Sequence, residues 1–217
     1  MKKVISELAG TFLLVFFATG SIIVSQEYTF LGPEAPALIT GAVVTLLIIF
    51  LGNISGAHLN PAVTLGFYIS GTFQKKEIPG YVLSQLSGAV FASLLLHFMF
   101  PSDLNLGNTI PTAPATTSLL FEIILTFILM LVILILSHGY KESGYLIALI
   151  VGITIWIEIK FAGPICGASM NPARSFGPSL ISGNFHYMWM YVLGPVVGAL
   201  GAALLFRKIR TQRDIVS

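Results

Sequence analysis

The sequence predicts an all-α membrane protein: six transmembrane helices plus two re-entrant half-helices, built as an inverted internal repeat within a single membrane domain, 1–217. Three observations carry that prediction. The first is composition: of 217 residues, 55% are hydrophobic and 9% charged, where soluble domains carry about 25% charged residues. With a mean hydropathy of +0.90, a water-soluble globule would lack the polar side chains to cover its core. The second is a set of six apolar windows of spanning length, and the third is a duplicated motif between them.

A helix needs about 20 apolar residues to cross a hydrocarbon core of about 30 Å. Such windows lie near 4–24, 36–55, 79–100, 118–137, 144–163 and 187–206. The first, opening Met-Lys-Lys, also has the outline of a signal peptide. Glu7 within it and a second copy of its pattern in mid-chain argue for a retained helix. An even number of spans puts both ends on one side. Nine of the 11 Lys and Arg fall there, at Lys2, Lys3, Lys75, Lys76, Lys141, Arg207, Lys208, Arg210 and Arg213, so the termini are expected in the cytoplasm, beneath a plasma membrane. A net charge of +2 offers no footprint for nucleic acid. The single cysteine, Cys166, excludes an internal disulfide, and no Cys/His cluster has metal-ligand spacing, so no cofactor is expected.

Three matches recur in the same order. Glu7, Thr11 and Phe12 return as Glu122, Thr126 and Phe127 at an offset of 115. Gly56-Ala57-His58-Leu59-Asn60-Pro61-Ala62 returns as Gly167-Ala168-Ser169-Met170-Asn171-Pro172-Ala173 at 111, and Tyr81 with Gly88 returns as Tyr191 with Gly198 at 110. Repeat 1 covers about 1–105 and repeat 2 about 115–217, joined by a linker around Pro101 to Pro114. Three spans per copy force the second copy to enter from the opposite face, which places a pseudo-two-fold axis in the membrane plane and a site at its midplane.

Each Asn-Pro-Ala precedes a short apolar run, Val63 to Ile69 or Ser175 to Ile181, too short to span. Asn is a preferred N-cap and Pro is favoured at the first helical position, so each motif starts a half-helix that dips into the bilayer and returns. Irregular backbone at that depth is tolerated where it lines a water-filled cavity. The approaches Gly56-Ala57-His58 and Gly167-Ala168-Ser169 are therefore candidates to present carbonyls to it. Opposed half-helices meet N-terminus to N-terminus with their positive dipole ends together, which repels cations. There Asn60 and Asn171 can cap their helices through oxygen and turn their NH2 groups toward a passing water or alcohol.

Intramembrane acids invite a functional reading, and Glu7 and Glu122 could relay protons. Their equivalent places in the repeat favour a scaffold role, each accepting backbone N–H groups from an approach to a half-helix. His58 could line the lumen through its carbonyl or fill a polar pocket between spans. His97, His138 and His186 sit near span ends, as interfacial residues do. Glu158 and Lys160, near the outer end of the fifth window, are expected to snorkel to the interface. Gly41, Gly88, Gly152 and Gly198 read as close helix contacts. Arg174 stands three residues into the second half-helix, about 4.5 Å from its start, outward of the midplane. Its guanidinium would offer donors to neutral solutes and oppose cations.

The strings Ser55-Gly56-Ala57-His58-Leu59-Asn60-Pro61-Ala62-Val63-Thr64 and Gly167-Ala168-Ser169-Met170-Asn171-Pro172-Ala173-Arg174-Ser175 resemble the aquaporin, or major intrinsic protein, family along essentially the whole chain. The resemblance implies the aquaporin fold, a passive channel and not an enzyme, one pore per subunit, a homotetramer in a lipid bilayer, and water and small neutral solutes as cargo. It also implies a selectivity ring joining Arg174 to Thr40, Ile159 and Ala168. Water-selective members commonly place an aromatic residue and a histidine in that ring; this sequence has neither, so a wider opening is expected. Gly163-Pro164 through Ser175, with Tyr191-Val192 before Gly194-Pro195, is similar to the nodulin-like intrinsic proteins of plants and their bacterial relatives. That likeness implies passage of glycerol or neutral metalloid hydroxides such as arsenous, boric or silicic acid. Thr40 stands where that group often has a bulky residue, and Ser175 where glycerol facilitators often have aspartate. The alternatives are a strictly water-selective channel and a secondary transporter on inverted repeats. A transporter would need a coupling-ion site, against neutral Asn side chains and dipole ends that oppose Na⁺.

Overall fold

The computed structural model describes residues 1–28, 31–139 and 144–216. Eight α-helices follow in order: α1 (Lys2–Glu27), α2 (Ala35–Ser55), α3 (Pro61–Ile69), α4 (Ile78–Met99), α5 (Ala115–Gly139), α6 (Gly144–Cys166), α7 (Pro172–Ser182) and α8 (Met188–Val216). Six are long and apolar enough to cross a membrane; four of them contain their expected window, while 79–100 runs one residue past the end of α4 and 187–206 begins one residue before α8. At 9 and 11 residues, α3 and α7 cannot span. Beyond the apolar window α8 continues as helix through Arg207, Lys208 and Arg210. Lys141, one of the basic residues used to orient the chain, lies outside the described residues.

The two halves interlock. Within each half the first long helix packs on the second and the last, α1 on α2 and α4, α5 on α6 and α8. Each half-helix crosses to the final helix of the other half, α3 to α8 and α7 to α4, while α2 packs on α6. Glycines permit the closest crossings. A methyl group on Gly41 would lie 2.6 Å from the Gly152 oxygen, and one on Gly152 2.5 Å from the Gly41 oxygen. One on Gly88 would strike the backbone of Leu8 and Phe12, and one on Gly198 the corresponding Ile123 and Phe127. Backbone contact of this kind drives association in lipid, where apolar side chains gain nothing by leaving solvent.

On the face that carries the termini, Lys3 pairs with Glu77 at 3.2 Å and Arg207 donates to the Ile69 carbonyl at the end of α3. On the opposite face Lys160 pairs with Glu34 at 3.3 Å.

The segment 101–114, expected as the linker between the repeats, is partly buried. It folds back over the opposite face, with Leu106 and Thr109 buried, and the N–H groups of Thr112 and Ala113 bind the Ile165 carbonyl at the end of α6. Gly107 has φ +62°, and a Cβ there would lie 2.6 Å from the Thr19 oxygen, so only glycine fits. Tertiary contact overrides what Pro, Thr and Asn content indicates locally.

Because α2 and α6 touch backbone to backbone, Gly152→Val should weaken the protein by about 1–3 kcal/mol or more, read as earlier thermal unfolding in detergent. Gly32→Ala, where nothing lies within 4 Å, should leave the transition in place. Equal transitions for both variants would show that the crossing does not hold the halves together.

Candidate functional site

The site forms where the two half-helices meet, and its backbone is unusual. Gly56, Ala57 and Leu59 before α3 have φ of +87°, +48° and +51°, and Gly167, Ala168 and Met170 before α7 have +85°, +42° and +54°. A left-handed residue with a side chain costs about 1–2 kcal/mol, so something must hold each approach. Two buried carboxylates do. Glu7 Oε1 accepts from the His58 N–H at 2.9 Å and Ser55 Oγ at 2.7 Å, while Oε2 accepts from the Leu59 N–H and Gln85 Nε2, both at 2.7 Å. Glu122 accepts from the N–H groups of Ser169 and Met170, both at 2.7 Å. Tyr81 donates its hydroxyl to the Ser55 carbonyl at 2.7 Å, and Tyr191 donates to the Cys166 carbonyl at 2.6 Å.

Both asparagines cap their helices. Asn60 Oδ1 accepts from the Ala62 N–H at 2.9 Å, and Asn171 Oδ1 from the N–H groups of Ala173 and Arg174 at 3.0 and 3.4 Å. Pro61 and Pro172 occupy the first helical positions, where the missing N–H is no loss. The amide groups do not simply face a lumen. Asn60 Nδ2 donates across the axis to the Met170 carbonyl at 2.8 Å, and Asn171 Nδ2 to the Leu59 carbonyl at 2.9 Å. One hydrogen of each NH2 thus ties the opposite approach, and one is left over.

Asn60, Asn171 and Arg174 line a narrow cavity of about 140 Å³, together with Thr40, Ile159, Ala168 and the residues Gly56, Ala57, His58, Gly167 and Ser169. Its other walls are apolar, with Val44 and Ile48 on α2, Leu129 and Ile133 on α5, and Val151 and Ile155 on α6. At Ile48, His58, Phe67, Ser137 and Ile147 it adjoins a vestibule of about 1090 Å³ on the face of the termini. No N–H or O–H among the described residues donates to the carbonyls of Gly56, Ala57, His58, Gly167, Ala168 or Ser169.

Arg174 is 9% exposed. Its Nη1 donates to the Gly107 carbonyl at 3.2 Å and to Thr109 Oγ1 at 2.6 Å. Both partners come from the segment read as a linker, and nothing in the sequence marks them, because neither repeats in the other half. Thr109 also meets Ser175 at 2.9 Å, and Ser175 meets Ser169 at 2.6 Å, so serine replaces a carboxylate here within a hydroxyl chain. Thr40 donates its hydroxyl to the Pro36 carbonyl at 2.7 Å and therefore has only lone pairs left for the cavity. Gln85, which completes the cradle of Glu7, is likewise without a counterpart, since Pro195 stands at the equivalent place.

The imidazole of His58 stacks on Phe67 with centroids 4.5 Å apart and lies within 3.2 Å of Thr64 Oγ1, and His58 and Phe67 both border the cavity and the vestibule. His138 hydrogen-bonds the Leu134 carbonyl and packs on Phe206; His97 and His186 are exposed. Snorkelling describes Lys160, which reaches Glu34, but not Glu158. That carboxyl turns inward, is 6% exposed, and has no hydrogen-bond partner for either oxygen.

Comparisons with known proteins agree with this geometry. A family described as Major intrinsic protein matches residues 1–206. Aquaporin NIP1-1 of Zea mays is 43% identical over 215 residues, covering 97% of this chain and 75% of its own. Nodulin-26 of Glycine max is 36% identical, covering 97% and 78%. Among solved structures, the aquaglyceroporin from Plasmodium falciparum superposes with a TM-score of 0.87 at 26% identity, covering 100% of this chain and 99% of its own. With two half-helices tip to tip, crossed asparagines at their junction and a match along nearly all its length, the chain belongs to the major intrinsic protein family.

Proposed function

We propose that the protein passes glycerol and small neutral hydroxides, of the arsenous, boric or silicic acid kind, alongside water, and holds back protons and ions. That it is a membrane channel for water and small uncharged solutes, and not an enzyme, follows from its family. The observation that carries the finer reading is the crossed asparagine pair beneath a filter without an aromatic ring.

Proton exclusion rests on the pair. A water chain conducts protons only if all its hydrogen bonds can turn in one direction. Two donors at the centre, each with one hydrogen already held by the opposite approach, fix the middle oxygen as an acceptor and reverse the chain there. The dipole ends of α3 and α7 raise the energy of any cation at the same point. The unpartnered carbonyls on either side supply acceptors for the solute hydroxyls in single file.

Solute size rests on Thr40, Ile159, Ala168 and Arg174. Thr40 accepts, Arg174 donates, and Ile159 and Ala168 give an apolar edge. That combination suits a molecule with hydroxyls on one side and carbon, or a bulky neutral centre, on the other. Glu7 and Glu122 act as scaffold in this reading. By the same proposal four copies assemble in a plasma membrane with both termini in the cytoplasm. Basic residues on the termini's face support the orientation, and apolar side chains exposed on α2 and α6, such as Phe50 and Phe161, support contact with lipid or neighbouring copies.

Proteoliposomes holding the protein should swell in glycerol and in at least one metalloid hydroxide as well as conduct water, with no added proton leak when a pH gradient is imposed. A leak that scales with protein would refute the pinned water chain. The double substitution Thr40→Phe with Ile159→His should suppress glycerol more than water, because steric exclusion grows with solute diameter. Should the parent conduct water but exclude glycerol and every metalloid hydroxide tested, the channel is strictly water-selective and a different constriction sets its width.

A further inference from the structure

Glu158 has no place in the cradle or the filter, yet it is 6% exposed and neither carboxylate oxygen meets a donor. Its equivalent in the first half is Leu47, at the offset of 111 that relates Asn60 to Asn171, and Leu47 is also 6% exposed. An apolar side chain therefore serves the fold at this position, and a carboxyl is not needed for packing. The neighbours are informative too. Ile147, Val151, Ile155 and Ile159, spaced four residues apart on α6, line the cavity, and Glu158 stands seven residues after Val151, on the same helix face. It adjoins Ile159 in sequence and is itself buried, outside the residues that line the cavity.

The titratable groups on the surrounding elements are Glu122 on α5, Arg174 at the start of α7, Tyr191 on α8, Cys166 and Lys160 on α6 itself, and Glu34 before α2. Lys160 and Glu34 are paired with each other, Tyr191 donates to Cys166, and Glu122 is occupied by two N–H groups. Arg174 uses only Nη1, on Gly107 and Thr109, and its other N–H groups have no protein partner among the described residues. They lie on the cavity that Ile159 walls.

We propose that Glu158 is a positioning residue for the filter: when its carboxyl loses a proton, the anion leaves its buried place, turns past Ile159 into the cavity and pairs with the free N–H groups of Arg174, narrowing the opening. The neutral acid can stay where it is, since it needs at most one hydrogen bond. The anion cannot, because an unpaired buried charge is far more costly than an unpaired hydroxyl, and the Glu122 carboxylate repels it. Arg174, whose remaining N–H groups have no protein partner among the described residues, lies on the cavity beside Ile159. An Arg–carboxylate pair there would withdraw the donors that a neutral solute uses and fill part of the gap left by the missing aromatic ring. The step moves one proton from Glu158 to solvent and breaks no other bond.

This inference rests on the channel assignment, and the experiment separates the two. Water and glycerol fluxes are measured by stopped-flow in proteoliposomes between pH about 6 and about 11 for the parent, Glu158→Gln and Glu158→Leu. Flux by the parent should be highest at the acid end and fall as pH rises, up to about tenfold per pH unit beyond the midpoint. Both variants should keep the acid-end flux across the range. The leucine variant copies the first repeat, and the glutamine variant preserves shape should leucine reduce yield. A parent profile that is flat or rises with pH, or a glutamine variant that follows the parent, would overturn the proposal. Absence of flux above empty vesicles at every pH in all three would instead remove the channel assignment itself.

Discussion

A backbone N–H that leaves its helix inside a bilayer has no water to turn to, and each unsatisfied group there costs several kcal/mol. The architecture depends on how two such stretches, 56–60 and 167–171, are satisfied. Glu7 and Glu122 take the N–H groups at His58 and Leu59 and at Ser169 and Met170. The carbonyls at Leu59 and Met170 are taken by asparagines from the other half. What remains unpaired is a row of carbonyl oxygens and one hydrogen on each asparagine, and these are the groups a passing solute can use. On the proposed function, the irregular backbone is tolerated because its leftover polarity serves as the pathway.

The near-symmetry of the halves supplies the backbone, and departures from it supply the chemistry. Tyr81 and Tyr191, Gly88 and Gly198, and the two cradle acids are matched in position and contact. Arg174, by contrast, corresponds to Val63, and Glu158 to Leu47. The filter therefore exists on one side only. Its arginine is held by Gly107 and Thr109 from the segment between repeats, a segment with no internal counterpart that reaches the second approach through Thr109, Ser175 and Ser169. Thr40 and Arg174 both line the cavity, and in the proposed function they serve a neutral polyol or hydroxide as acceptor and donor.

Helix lengths, both half-helices and their caps were legible in the sequence, because span length, Asn at the cap and Pro at the first turn are local signals. Arg174 stood out as a cation far from any basic loop. The grip on it did not. Thr109 lies 65 residues before Arg174, within a stretch whose composition reads as a turn-rich connection, and only tertiary packing brings it inward. Gln85 was hidden for a similar reason, since the repeat replaces it with Pro195 and a search for self-similarity passes over it. Glu158 and Lys160 were both expected to snorkel to the interface, but residues two apart diverge on a helix: Lys160 pairs with Glu34 while Glu158 is buried. The use of one amide hydrogen by the opposite approach needed the distance between the two loops.

The central claim is that a buried carboxylate holds each approach in place and takes no part in transport. Glu122→Gln tests it most directly, by thermal unfolding of the purified protein and by solute flux against pH in the fraction that folds. Glutamine keeps the shape but loses two charge-assisted bonds, so stability should fall by about 2 kcal/mol while the folded fraction still conducts, its pH profile moved only toward lower pH as loss of the Glu122 charge eases ionisation of Glu158. Unchanged stability with flux lost or newly dependent on pH would contradict the account and make Glu122 part of the pathway.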